Sequence, residues 1–382
     1  MASVRLVRAR LRPYRLPLRN PLETAHGILR ERNGCLLELE TDSGLLGYGD
    51  ACPFPGFRME TVEKAVETLD QVVRGLDKVD PRDLRSSLDL VVEQTAHAPA
   101  SRFAIDCALH EIAALAENVH VSEYLASQWG VKATAGCSVN AFVGGSTLEE
   151  LQENVVTAAG EGFSDLKLKL GARSWEEDLQ RIRVVRDACG PEFKIRLDAG
   201  ESWPEDEAAR RLAQVADFDI DFIEQPLPFQ NLEGMASLRI QAQKIGMMLA
   251  ADESIVGVGD ARRVIETGAA DILVLKPAAL GGLRAAAEVG ALSQRAGLTC
   301  VVTTLIDSAW GTSASLALAC ALPGSRKSDG LATSSLLAAD LAKAPRPHKG
   351  RLERFPGRGF GLELDLLALD RWALEPFREI QL

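Results

Sequence analysis

Five short apolar runs in the middle of the chain each end in a charged residue, and those residues recur at a nearly constant interval. The runs are Leu166-Lys167-Leu168-Lys169, Ile195-Arg196-Leu197-Asp198, Phe222-Ile223-Glu224, Leu249-Ala250-Ala251-Asp252 and Ile272-Leu273-Val274-Leu275-Lys276. Counted from Lys169, the charged ends step by 29, 26, 28 and 24 residues. One strand and its return helix occupy about 30 residues. The segments between the runs (175–189, 205–217, 232–244, 259–267 and 282–296) carry alanine, leucine and charge at helical spacing. Strands alternating with helices make a parallel sheet, so the fold class is α/β, and enough such units close into a TIM-type (β/α) barrel. The βα loops of a barrel open at the carboxyl ends of its strands, where these charged residues stand.

In an extended strand Lys167 and Lys169 share one face and Leu166, Leu168 and Leu170 the other. Taken alone, a surface strand with its leucines in the core explains that alternation. The four runs that follow turn the lysines toward a barrel lumen.

At 382 residues the chain exceeds one typical domain, which suggests a barrel of about 200 residues plus a second module. Residues 4–18 and 34–49 read as strands and 60–76, 80–93 and 100–117 as helices. The sequence therefore predicts an α+β capping domain over 1–130, a catalytic barrel over 131–334, and a C-terminal segment, 335–382, that packs on cap and barrel. The net charge of −11 argues against nucleic acid or an anionic membrane as partner and leaves a soluble metabolic protein with a small-molecule substrate, a carboxylate on the site chemistry below, as the expectation. No apolar stretch is long enough to span a bilayer and the first residues lack the core of a secretory signal, so the expected location is the cytoplasm. The oligomeric state is not readable. Seven scattered cysteines without a CxxC pair read as reduced packing residues, and five histidines without HExxH spacing argue against a histidine–zinc site.

Asp198, Glu224 and Asp252 on consecutive strand ends would converge, and three carboxylates at close range repel unless a cation lies between them. Rigid oxygen ligands suit Mg2+, with Mn2+ as the alternative ion. The competing explanation is that each carboxylate caps the next helix. Lys169 and Lys276 would approach a substrate from opposite walls, an acid–base arrangement. Lys167 would lower the Lys169 pKa by its charge. Together these groups specify removal of an α-proton from a carboxylate, with the enediolate stabilised by the metal.

This constellation resembles the enolase superfamily, in its muconate-lactonizing subgroup, where a lysine or histidine base works beside Mg2+. The resemblance covers nearly the whole chain and rests on Lys167-x-Lys169, Asp198, Glu224-Gln225-Pro226, Asp252-Glu253-Ser254 and Lys276-Pro277 followed by Gly281-Gly282. Gly47-Tyr48-Gly49-Asp50-Ala51-Cys52-Pro53-Phe54-Pro55-Gly56-Phe57 with Glu60-Thr61, Arg196 two residues before Asp198, and Thr303-Thr304-Leu305-Ile306-Asp307-Ser308 are similar to segments of the o-succinylbenzoate synthases. The resemblance implies elimination of water from a succinyl-hydroxycyclohexadiene-carboxylate. It makes Lys169 the base, Lys276 the cation facing the ring, and Lys167 the residue that tunes Lys169. It further implies Arg196, Gly281, Gly282, Thr304 and Asp307 as substrate-binding residues and Glu253 as a neighbour of the metal ligands, and His26, in a loop placed to close over the site, is expected to line the substrate pocket. Two departures stand out: Gly200 replaces the usual asparagine, and Asp307 the usual glutamate. An N-acylamino acid racemase and a muconate cycloisomerase would use the same metal and lysines, so they stay open, as does a degenerate barrel that only binds ligands.

Overall fold

The computed structural model describes residues 4–24, 27–54, 56–78, 80–324 and 326–382. The cap begins with three antiparallel strands, β1 (Leu6–Thr24), β2 (Gly27–Thr41) and β3 (Leu46–Ala51). The segment 34–49, read above as one strand, is thus the end of β2, a turn and β3. Gly44 makes that turn at φ +77°, a conformation costly for residues with a Cβ. Helices α1 (Val62–Val73), α2 (Leu84–Gln94), α3 (Pro99–Ala116) and α4 (Val121–Ser127) follow. Almost every residue of α3 is buried, because it lies between the cap sheet and the barrel. It can press against β3 because Gly47 and Gly49 have no side chain: a Cβ at either would collide with the carbonyl oxygens of Ala108 and Ala104.

The barrel starts with β4 (Gly136–Ser138), β5 (Ala141–Val143) and α5 (Leu148–Gly160). The repeating units are β6 (Asp165–Lys169) with α6 (Trp175–Cys189), β7 (Lys194–Asp198) with α7 (Glu205–Val215), and β8 (Ile220–Glu224) with α8 (Leu232–Lys244). Then come β9 (Met248–Ala251) with α9 (Val258–Thr267), β10 (Ile272–Leu275) with the short α10 (Pro277–Leu280) and α11 (Leu283–Arg295), and β11 (Thr299–Val302) with α12 (Ala309–Ala321). Ser174 and Asn231 cap α6 and α8 through their side chains, which fixes where those helices begin. Strands β5 to β11 pair in sequence order as one parallel sheet. Residues 326–330 close the circle, bridging Cys300 and Thr303 on one side and Val139 on the other.

Period-two alternation sorts each strand. Leu166, Leu168, Ile195, Leu197, Ile223, Leu249, Leu273 and Leu275 belong to the large core that the helices complete. Phe222, Ala250, Ile272, Val274 and Val301 form a separate apolar plug. Lys167 and Lys169 alternate with the core leucines, so the lysines turn inward. Beyond the barrel, β12 (Arg351–Glu353) pairs with β4, and after α13 (Leu366–Trp372) the strand β13 (Arg378–Gln381) pairs with β1 in the cap sheet. No helix among the described residues is long and apolar enough to cross a membrane.

Candidate active site

A cavity opens where the cap meets the carboxyl ends of the barrel strands. Its barrel wall includes Lys167, Lys169, Asp198, Glu201, Asp252, Glu253, Lys276, Thr303 and Thr304, and its cap wall Leu22, Phe54 and Phe57. Parallel register places the reactive residues side by side: Lys169 is opposite Asp198, and Asp198 opposite Glu224.

The charges form an alternating chain. Lys169 Nζ lies 2.7 Å from Asp198 Oδ1, Lys167 Nζ lies 2.9 Å from Asp198 Oδ2 and 2.7 Å from Glu224 Oε1, and Lys276 Nζ lies 2.5 Å from Asp252 Oδ2. Burial works against ionisation of Asp198, but the two lysines overcome it and hold its carboxyl below the usual range. Among the described residues, Glu224 pairs with a single lysine, Lys167. Burial, with the negative charges of Asp198 and Asp252 adding to it, raises its pKa to about 7. Burial also raises Asp252, against the pull of Lys276.

Lys167 does push the Lys169 pKa down, as the sequence implied, but it does not prevail. Burial favours the neutral amine as well, yet Asp198 and Glu253 outweigh both and leave Lys169 raised. The three carboxylates are neighbours, with lysine ammonium groups set between them. Among the described residues, no three His, Cys, Asp or Glu side chains stand together in a metal-holding cluster. Lys167 bridges Asp198 and Glu224 and Lys276 occupies Asp252, so the lysines provide the positive charge that close carboxylates require. The donor set nonetheless fits a hard divalent ion. It is all oxygen, and Asp252 Oδ1 and Glu253 Oε2 are buried without a hydrogen-bond partner.

Gln225 was not singled out in the sequence, although it builds this wall. Its Oε1 accepts from the backbone N–H groups of Asp252 and Ser254, and its Nε2 donates to Ser254 Oγ and Leu227 O. The turn after β8 is thereby tied to the turn after β9. Gly200 is left-handed at φ +48°, and a Cβ there would collide with Lys169 Nζ. The missing asparagine therefore leaves the space that the Lys169 ammonium occupies. Glu201 lines the cavity while its Oε1 accepts from Phe229 N at 2.6 Å.

Of the residues expected to bind substrate, Thr304 lines the cavity, its hydroxyl 2.5 Å from that of Thr333. Others lie elsewhere. Arg196 points inward like Asp198 but sits one pleat deeper, 2% exposed, donating to Asp165, Asn140 and the Ser328 carbonyl with its guanidinium over Phe222. It belongs to the floor of the barrel. Gly281 and Gly282 face the cap helix α3: Cβ atoms there would come within 2.5 Å of Arg102 Nε and Asp106 Oδ2. Asp106 in turn accepts from the N–H groups of Leu283 and Arg284 and so caps α11 from the other domain. Asp307 is buried behind Leu305, whose N–H it accepts, and is not on the cavity wall. His26 lies outside the described residues. Asn140, Phe142 and Leu336, which the sequence did not flag, complete the lining together with Thr303, Leu305, Ile306 and Thr333. Several of these follow β11 or close the barrel, positions that the strand-end rule could have supplied.

Residues 149–368 match the family described as Enolase C-terminal domain-like, and residues 7–126 match the Mandelate racemase / muconate lactonizing enzyme, N-terminal domain. The chain belongs to the enolase superfamily. An o-succinylbenzoate synthase of Thermobifida fusca is 36% identical over 196 residues, which is 51% of this chain and 59% of that protein. The structure of N-succinyl Arg/Lys racemase from Bacillus cereus superposes with a TM-score of 0.91 at 23% identity, covering 98% of this chain and 100% of that one. A dipeptide epimerase from Enterococcus faecalis, complexed with Mg and L-Leu-L-Tyr, superposes at 0.87 and 23% identity over 94% and 99% of the two chains. Superfamily membership thus accords with the lysines and carboxylates at the strand ends; the reaction must be argued from the pocket.

Proposed function

We propose that this protein is an o-succinylbenzoate synthase, a hydro-lyase acting on a succinyl-hydroxycyclohexadiene-carboxylate on the route to menaquinone. The observation that carries this reading is the contrast within the cavity. Among the described residues, every charged group in its lining stands on a barrel strand or within three residues of its end, while the rest of the wall includes Leu22, Phe54, Phe57, Phe142, Leu305, Ile306 and Leu336 with the neutral Asn140, Thr303, Thr304 and Thr333. A ring with one reacting carboxylate fits such a wall, and Asn140, Thr303, Thr304 and Thr333 are the neutral groups that could donate to the second carboxylate, on its succinyl arm. A dipeptide ammonium or a cationic side chain would need an outer carboxylate, and the described lining offers none beyond the strand ends.

Asp198, Glu224 and Asp252 would hold Mg2+, which when bound supplies positive charge to the substrate carboxylate. Lys169, in its neutral amine form, takes the α-proton from one face. The carbon–oxygen bond on the same face then breaks, and the Lys169 ammonium returns the proton to the departing hydroxide as water. Lys276 stays cationic on the opposite face, where it stabilises the enediolate. Lysines on both faces also favour a second reading, N-acylamino acid racemisation, in which each face needs its own base.

The test is to assay the purified protein with the cyclohexadiene substrate and, separately, with N-succinylamino acids, following o-succinylbenzoate and optical rotation. The proposal expects o-succinylbenzoate formation that chelation abolishes and Mg2+ restores. Racemisation without elimination would replace it with the second reading.

A further inference from the structure

The cap lays an aromatic ring on one of the two lysines. Lys276 Nζ stands 3.8 Å from the centre of the Phe57 ring, both groups line the cavity, and Phe57 is 8% exposed. The ring is itself held. Phe54 meets it edge-on at 6.1 Å, and the Arg32 guanidinium covers Phe54 at 4.9 Å while donating to the carbonyls of Cys52, Pro53 and Ile306. On the other flank, the Arg58 guanidinium covers the Phe229 ring at 4.4 Å and donates to the Glu253 carbonyl at 3.4 Å. Glu60 accepts from Ala100 N and Ser101 N at the start of α3. The turn that carries Phe57 is thus pinned to three barrel loops and to the helix behind it.

Among the described residues Lys276 has one hydrogen-bonding partner, Asp252 Oδ2, which leaves rotation about its long side chain unconstrained by that contact alone. An aromatic face attracts an ammonium without offering it a proton acceptor, so it restricts where the nitrogen lies. Among the described residues, no ring lies over Lys169 in this way. We propose that Phe57 is a positioning residue for Lys276, an aromatic rest supplied by the cap that sets which point on the far face of the substrate the Lys276 ammonium reaches. The proposal rests on the reading above in assigning each lysine to one face.

The experiment compares wild type with Phe57→Leu, Phe57→Met and Phe57→Tyr, each shown to be folded by circular dichroism. One arm is crystallographic: the Lys276 nitrogen keeps its place in wild type and Phe57→Tyr and leaves it in the two aliphatic variants. The other follows α-proton exchange into D2O by NMR for both enantiomers of an N-succinylamino acid, with Lys276→Ala as reference. The aliphatic variants should lose exchange at least tenfold for the enantiomer that Lys276→Ala silences and stay within twofold for the other, while Phe57→Tyr keeps both. An equal loss for both enantiomers, or an unmoved Lys276 nitrogen in Phe57→Leu and Phe57→Met, overturns the proposal. If wild type exchanges neither enantiomer, the two-face assignment fails by itself, and the position of the nitrogen alone decides the role of Phe57.

Discussion

Two groups of buried carboxylates stand at the carboxyl end of this barrel, and they are neutralised in different ways. At the mouth, Asp198, Glu224 and Asp252 alternate with Lys167, Lys169 and Lys276. At the seam with the cap, Asp50 accepts from Tyr14 Oη at 2.6 Å and from Ser308 N, Asp307 accepts from Leu305 N, and Asp340 accepts from Ala309 N and Leu341 N. The seam has neutral donors where the mouth has lysines, and Arg32 nearby spends its hydrogen bonds on carbonyls. Burial, with Asp50 adding to it, raises Asp307 to about 7, and burial raises Asp340 to about 7. The lysines hold Asp198 ionised, whereas Glu224, with a single lysine beside it, is raised to about 7, as are Asp307 and Asp340, which among the described residues pair with none. A carboxylate kept charged can act on a ligand, whereas one that keeps its proton serves the packing of two domains.

The largest expected effect that sharpens this contrast is at Lys169. Lys169→Ala should lower turnover by about 10³-fold or more, as loss of a positioned base does, while Mg2+ binding measured by calorimetry persists. Wild-type rates in that variant would remove Lys169 as the base and blur the distinction between mouth and seam. Next comes Arg196, reassigned from substrate to floor. Arg196→Ala leaves Asp165 buried without its cation, so unfolding in urea should show a loss of about 3–5 kcal/mol with KM of the folded enzyme unchanged. A raised KM with full stability would return Arg196 to the substrate.

The smallest effect is in pH dependence. The Asp307 pKa rises on folding from 3.8 to about 7, so its contribution to stability is complete below the unfolded value and is lost as pH climbs through about 7. Asp198 is lowered on folding, so its contribution is present above the unfolded value and fades as pH falls. In thermal melts in chelator, Asp307→Asn should flatten the decline in Tm between pH 5 and 8 by about 2 °C or more. Asp198→Asn should flatten only the acid side. Identical profiles for the two variants would erase the difference between the two groups.

The contrast also marks what could be read in the sequence. Residues whose role depends on local spacing were visible: Lys169, Asp198 and Glu224 each end a strand, Asp252 and Lys276 each directly follow one, and α6 and α8 run over 175–189 and 232–244 as their periodicity indicates. Residues whose role depends on depth or on a distant partner were not. Arg196 differs from Asp198 by one pleat, which separates floor from mouth although both face inward. Gly281 and Gly282 resemble a ligand-binding loop, but their closeness to Arg102 and Asp106 comes from a helix about 175 positions earlier. Phe57 could be recognised as part of a motif, while the lysine beneath its ring lies on the other domain.

The pairing of β13 with β1 joins Arg8 to Gln381 and Leu11 to Arg378, across some 370 positions of chain. During synthesis the outer edge of β1 therefore waits, its backbone donors and acceptors unpaired there, until residues 378–381 have left the ribosome. An edge of that kind recruits other strands. Ribosome-stalled or prematurely stopped chains are thus the ones most exposed to aggregation, and the strand that protects them is the last of the cap sheet to be made.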